Sequence, residues 1–170
     1  LSCILPASSG TVRIQGHDSF EHSLEIRKII GYLPETPPIY PDMSVYGYLM
    51  FAAQIRGVAG KNVSASVERV IEKCWLKDVS QRIIGRLSKG YQQRVGLAQA
   101  MVHDPDILIL DEPTVGLDPI QIIEIRKLIQ ELATLHTIIL SSHILPEITQ
   151  ICQRVIIINE GEIAAVDSLE

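Results

Sequence analysis

The sequence predicts an α/β fold built on a covered parallel sheet, and three observations carry that prediction. Apolar runs at residues 107–110, 137–140 and 155–158 alternate with segments of helical periodicity, and strands apolar on both faces belong between layers of helix. The first run ends in two adjacent carboxylates, Asp111 and Glu112, at the strand end where open α/β sheets gather their ligands. At 170 residues, 46% of them hydrophobic, and a mean hydropathy of +0.21, the chain has the size of one domain and enough apolar side chain to need a core. Global disorder is excluded. The expected organisation is a single domain or part of one over residues 1–170, with a helical subdomain at about 44–86.

Residues 11–15 alternate polar and apolar after Ser8-Ser9-Gly10, which predicts a half-buried antiparallel strand at the rim, turned at Gly16-His17-Asp18. Ser19 is placed to cap a helix over 20–28, and 29–33 reads as an apolar strand stopped by Pro34. Residues 35–42 hold Pro37, Pro38 and Pro41, a stiff exposed loop suited to recognition. Ser44 predicts a helix over 45–56, which the glycines at 57 and 60 stop. Val63, Val67, Val70, Ile71 and Cys74 recur at three- and four-residue steps, so 63–76 is a helix with one buried face. Asp118, Pro119 and Gln121 read as N-cap, first residue and capping box of a helix whose inner stripe is Ile122, Ile125, Ile129 and Leu132.

Fifteen Lys plus Arg against 20 Asp plus Glu leave a net charge of −5, which disfavours a nucleic-acid partner held by a broad positive face. Cys3, Cys74 and Cys152 are odd in number and widely spaced, which argues for reduced thiols rather than a disulfide framework or zinc site. The longest charge-free stretch, 132–146, is short and broken by polar residues, so no membrane span is expected. Leu1 replaces an initiating methionine and no signal-peptide pattern follows, so the N-terminus is read as a cut end.

The chemistry is carried by residues spread over the second half. A carboxylate at the end of the 107–110 strand can hold Mg²⁺ through water, and its neighbour can take a proton from an attacking water; alternatively, Asp111 and Glu112 cap the next turn. In Leu87-Ser88-Lys89-Gly90-Tyr91-Gln92-Gln93-Arg94, Ser88 opens a helix whose free N–H groups and positive dipole end suit a phosphate, although an ordinary N-cap has the same appearance. His143 follows an apolar strand and can meet a terminal phosphate or steady a water, or serve structure alone.

These motifs, in this order, resemble the nucleotide-binding domain of ATP-binding cassette (ABC) transporters from about Ser9 onward. Residues 87–94 resemble the family signature, 107–111 its Walker B strand, Glu112 its catalytic glutamate, Gly116-Leu117-Asp118 its D-loop and His143 its switch histidine. The resemblance implies a P-loop NTPase (RecA-like) parallel sheet with a helical subdomain, and ATP and Mg²⁺ as cofactors. It implies that Asp111 and Glu35 serve the metal, that Glu112 polarises water and that His143 touches the γ-phosphate. Ser88, Lys89, Gly90 and Tyr91 would meet a partner domain's nucleotide, with Asp118 at the junction of a head-to-tail dimer. Transmembrane permease subunits would be the further partners, and the location cytoplasmic, peripheral on the inner face of the membrane.

The chain departs from the family pattern in several places. Glu35 replaces the commoner Gln, and Lys89 and Tyr91 replace the commoner Gly and Gln; both changes resemble the exporter branch that drives drug or antibiotic efflux. No G-x-x-x-x-G-K-[ST] occurs anywhere, so the loop that cradles phosphates is absent. The resemblance therefore implies that residues 1–170 are a partial domain, and the fold is expected to be incomplete at its N-terminus. The function implied is an ATPase subunit powering export through separate membrane chains. The alternative is a noncatalytic module that offers only the signature face to a complete partner. Tyr40 and Met43 are expected to be exposed at a docking face for the membrane partner, with the neighbouring aromatics packed as core.

Overall fold

A computed structural model describes residues 2–169. The elements run β1 (Arg13–Ile14), β2 (His17–Asp18), α1 (Ser23–Ile29), β3 (Ile30–Leu33), α2 (Val45–Ile55), α3 (Val63–Lys73), α4 (Lys89–Met101), β4 (Ile107–Asp111), α5 (Pro119–Leu132), β5 (Thr137–Ser141), α6 (Leu145–Ile151), β6 (Arg154–Asn159) and β7 (Glu162–Ser168). Short 3-10 turns at Gly60–Asn62, Lys77–Val79 and Ile84–Arg86 join the helices. No helix among the described residues is long and apolar enough to cross a membrane.

Strands β3, β4 and β5 form a parallel sheet in that order, with Ile30 opposite Ile107, Leu108 opposite Ile138 and Asp111 opposite Ser141. Alternate residues of each strand face opposite layers. Leu33, Leu108 and Leu110 point into the main core, which α2, α3, α4 and α5 complete through Leu49, Val70, Leu97 and Ile129. Ile30 faces the other way, with Ile107 and Ile109, against Ile26 of α1 and Ile14 of β1. The sheet is thus packed on both sides at β3 and β4, while β5 stays partly open, with Ile139 40% exposed.

Several helix signals act as expected. Ser44 Oγ accepts from Gly47 N at 3.1 Å, and Gly57, with φ of +79°, follows the end of α2. The predicted face of α3 is buried at Val63, Val67, Val70 and Ile71, with Cys74 just beyond. Asp118 Oδ1 accepts from Ile120 N and Gln121 N at 3.0 and 2.9 Å. In α5 the buried stripe is Ile125, Leu128, Ile129 and Leu132; Ile122 is only partly covered.

Three local expectations are corrected. His17 and Asp18 are not the turn but β2, because Gln15 and Gly16, at φ of +49° and +83°, make the hairpin themselves. The first helix begins at Ser23, not Phe20, since the Asp18 carboxylate holds Phe20 N at 2.9 Å in a separate turn. Most consequentially, residues 155–158 do not join the parallel sheet. They lie in β6, which pairs antiparallel with β7 across a tight turn at Glu160 and Gly161, both at positive φ. Ile158 and Ile163 are each 67% exposed, so the hairpin is apolar without being covered.

Two features of the core yield measurable outcomes. At Gly31, a Cβ would meet the Ala100 carbonyl oxygen and Leu108 Cδ2, the latter at 2.7 Å, so α4 lies on β3 only because residue 31 has no side chain. Gly31→Ala is expected to cost about 3 kcal/mol or more by forcing these elements apart, read as a lowered midpoint in denaturant. His103 is held neutral: burial, then the neighbouring Arg56, push its pKa from 6.5 down to about 4 despite its hydrogen bond with the Ile30 carbonyl at 3.1 Å. Between pH 6.5 and 4 the unfolded chain binds a proton that the folded chain refuses, so stability falls as pH falls through that window, by about 3 kcal/mol at its lower end. His103→Gln is expected to flatten that part of the stability profile.

Candidate functional site

The parallel register delivers the candidate chemistry to one end of the sheet. Asp111 ends β4 and Ser141 ends β5 directly opposite, and the serine hydroxyl donates to Asp111 Oδ1 at 2.5 Å. The backbone then leaves the strand abruptly, with Glu112 at φ of +47°. A non-glycine residue in that region is strained by about 1–3 kcal/mol. Glu112 N donates to the Ser141 carbonyl at 3.1 Å and to Ser141 Oγ at 3.2 Å, which locks the turn to β5.

This turn aims the Glu112 side chain at the segment after β5. The His143 Nδ1–H donates to Glu112 Oε1 at 2.9 Å, while Glu112 Oε2 is buried and has no protein donor. The His143 side chain is 68% exposed against 20% for Glu112, so the imidazole faces solvent over a mostly covered carboxylate. Its pKa is raised, first by the hydrogen bond to Glu112 and then by that residue's charge, with smaller contributions from Glu147 and Glu35. Glu35 itself is exposed just beyond β3. Asp111 also raises the Tyr32 phenol, whose shift is due first to burial.

The signature residues form a second cluster, joined to the first by no hydrogen bond or ion pair among the described residues. Ser88 and Lys89 are exposed and Gly90 is buried. Ser88 has the backbone of an N-cap, yet its hydroxyl makes no capping bond, which leaves both the hydroxyl and the first N–H groups of α4 open. A Cβ at Gly90 would meet Gln121 Cδ at 2.6 Å; the expected capping-box glutamine instead packs its amide on the signature glycine. The Lys89 side chain fills the space beside Gly116, so the signature helix and the 116–118 loop touch within one chain.

Behind this cluster, Arg94 is clamped on three sides. Its guanidinium pairs with Glu124 of α5 and lies 5.2 Å from the ring centre of Trp75 and 5.5 Å from that of Tyr91. The arginine therefore ties the first turn of α4 to the end of the α3 region and to α5. Neither Trp75 nor Glu124 carried a motif.

Three further residues escaped sequence reasoning. Ser141 was visible only as a strand-end polar residue. Thr114 and Glu147 are buried polar groups bonded to each other; the signal for Glu147 was an acid in the otherwise uncharged stretch 144–151. At the loop after β3, Tyr40 is exposed as expected and stacks edgewise on Phe51 at 5.6 Å and on Tyr48 at 6.0 Å. Met43 is partly buried against the core rather than exposed, and Phe51 is exposed instead.

Oxygen donors at a strand end suit a hard divalent cation, yet no three His, Cys, Asp or Glu side chains converge as a cage among the described residues. The oxygen donors of Asp111 and Glu112 at the strand end fit Mg²⁺, which is held by one or two carboxylates plus water and substrate phosphates. A parallel sheet thus carries an acidic strand end, a strained glutamate and a histidine bonded to it. The comparisons specify the family. A family model described as ABC transporter matches residues 1–115. The bacitracin transport ATP-binding protein BcrA of Bacillus licheniformis is 40% identical over 162 residues, 94% of this chain and 52% of its own. The ABC transporter ATP-binding protein NatA of Bacillus subtilis (strain 168) is 34% identical over all of this chain and 70% of its own. The structure of cbiO1 from Clostridium perfringens, part of the ABC transporter complex cbiONQ, superposes with a TM-score of 0.87 at 28% identity, over 98% of this chain and 69% of that one. The chain belongs to the ABC transporter family and has its P-loop NTPase fold. It spans about half the length of BcrA.

Because Trp75 is the only tryptophan, its fluorescence reports the Arg94 clamp directly. Arg94→Ala is expected to shift and strengthen Trp75 emission and to cost about 2 kcal/mol of stability, because Glu124 loses its partner and two rings lose a cation. Unchanged emission would mean that the guanidinium does not sit on the ring.

Proposed function

We propose that the chain is the catalytic part of an ATPase subunit that powers export through separate membrane subunits, with residues 44–86 as its helical subdomain. One observation carries the reading: Asp111, Glu112 and His143 stand at the ends of two adjacent parallel strands, with the histidine bonded to a glutamate whose second oxygen is buried and unpartnered. The export assignment draws on Glu35, Lys89 and Tyr91 and on the likeness to a bacitracin transport protein. Location on the cytoplasmic face of the membrane follows from the same reading.

In this proposal Asp111 and Glu35 would hold Mg²⁺ together with water, and the bound ion would supply charge neutralisation at the phosphates. Ser141 fixes one oxygen of Asp111 and leaves the other available. Glu112 takes the proton from an attacking water as general base, its carboxylate oriented by the His143 hydrogen bond at Oε1. His143, held through Nδ1, turns Nε2 outward toward the terminal phosphate. Ser88, Lys89, Gly90 and Tyr91 offer an N–H and hydroxyl surface to a nucleotide held by a second such domain in a head-to-tail dimer. Asp118 lies at this junction in the same proposal; its Oδ1 caps α5 and its side chain is exposed. Tyr40 and Phe51 form the exposed aromatic edge offered to a membrane subunit.

The sequence contains no G-x-x-x-x-G-K-[ST], so the 170-residue chain by itself is expected to release no phosphate from ATP. The complete subunit in its transporter is expected to do so with Mg²⁺, and Glu112→Gln to slow it about 100-fold or more. The check is phosphate release at saturating ATP. Steady hydrolysis by a Glu112→Gln assembly would remove the glutamate from its proposed role.

A further inference from the structure

The most deeply buried carboxylate in the site region has no part in the chemistry above. Glu147, near the start of α6, has a side chain only 3% exposed. Both of its oxygens are engaged: Oε2 accepts from the Thr114 hydroxyl at 2.7 Å, and Oε1 accepts from Arg126 Nη2 at 3.1 Å. Arg126 Nη1 donates to Gln150 Oε1 at 2.9 Å, and Gln130 Nε2 donates to the Gln150 carbonyl at 3.0 Å. Arg126 and Gln130 belong to α5, and Glu147 and Gln150 to α6, so the network laces the two helices together.

The positions of these residues give the network its meaning. Thr114 lies two residues after Glu112, and Glu147 lies four residues after His143. Upstream, the two loops that carry Glu112 and His143 are fixed by the β4–β5 register and by the bonds of Ser141. Downstream, the bond from the Thr114 hydroxyl to Glu147 Oε2 ties them through side chains. A buried charge held by two partners is rigid, because breaking either bond leaves it uncompensated in a low-dielectric setting. Glu112, in its strained left-handed conformation, is the kind of residue that keeps its geometry only where its surroundings over-determine it.

We propose that Thr114, Glu147 and Arg126 form a positioning device for the Glu112–His143 pair: they fix the separation of the two loops, so that the hydrogen bond between carboxylate and imidazole is already made before substrate arrives. The proposal rests on the functional reading above and adds residues to it. None of the three touches the reacting atoms; each acts through the loop that it holds. The arrangement also makes the seating of α6 on α5 a condition for an assembled site.

The test uses Thr114→Val, which keeps the shape and removes only the hydroxyl donor, and Thr114→Ser, which restores it. Both are made in the complete subunit. In the assembled transporter, Thr114→Val is expected to lower kcat for ATP by about 10- to 100-fold with KM within about twofold, the size of effect that a small misplacement of reacting groups produces. Thr114→Ser is expected to stay near the wild type. In the nucleotide-free subunit, the ¹⁵N resonances of the His143 imidazole are expected to move in Thr114→Val and not in Thr114→Ser. Unmoved resonances, an unchanged kcat in Thr114→Val, or an equal loss in Thr114→Ser would overturn the proposal. If Thr114→Val does not fold, Arg126→Lys, which keeps the charge but loses the fork to Gln150, is read in the same way. A wild type that hydrolyses no ATP overturns the functional reading, and the His143 resonances still decide whether the loops are positioned as proposed.

Discussion

The pairing of β4 with β5 is the constraint on which the site depends. Its register sets Asp111 opposite Ser141, and every later contact follows: the serine hydroxyl on Asp111, the amide of Glu112 on Ser141, and the histidine two residues on that meets Glu112. A slip of one residue would reverse the faces of the strand. Ile138 and Leu140 would leave the main core that they now touch, and Ser141 would turn from Asp111. The apolar packing that fixes the register therefore fixes the site geometry as well, although none of the core residues has any chemistry of its own.

At the end of that register the chain carries a local cost. Glu112 adopts a left-handed backbone, and its Oε2 lies buried without a donor, two conditions that folding alone disfavours. They are offset by the bonds around them, from Ser141 at the backbone and from His143 at Oε1. A carboxylate with one oxygen held by an imidazole and the other free of protein donors is asymmetric. The held oxygen sets direction, and the other lies covered.

Much of this was legible in the sequence because it rests on local rules. Ser44 and Asp118 cap the helices that their spacing announced, and the three- and four-residue rhythm of α3 predicted its buried face residue by residue. Asp111, Glu112 and His143 were legible as motif residues, and the strand pairing brings them together. What stayed hidden depends on contacts between distant segments. Thr114 and Glu147 are separated by strand, helix and turn, and nothing in either neighbourhood predicts that a threonine hydroxyl will meet a glutamate. The clamp on Arg94 by Trp75, Tyr91 and Glu124 is hidden for the same reason.

The run at 155–158 shows where pattern reading reaches its limit. Apolar residues on both faces of a strand state that burial is favourable, at about 25 cal/mol per Å², but not which neighbour supplies it. In β6 the local partner wins: Glu160 and Gly161 close a two-residue turn, the loop-closure cost is small, and β7 pairs along the whole strand. Helix α6 already supplies the crossover that parallel pairing with β5 requires, and that pairing would displace nothing, since β5 has no second partner among the described residues. It does not form, and large side chains on both strands stay in water, Ile139 at 40% exposure and Ile156 at 58%. One edge of β5 and one of β6 stay open beside exposed apolar side chains, the combination that favours further strand pairing. The hydrophobic drive that wrote the sequence of β6 is therefore not met by the hairpin that the chain makes.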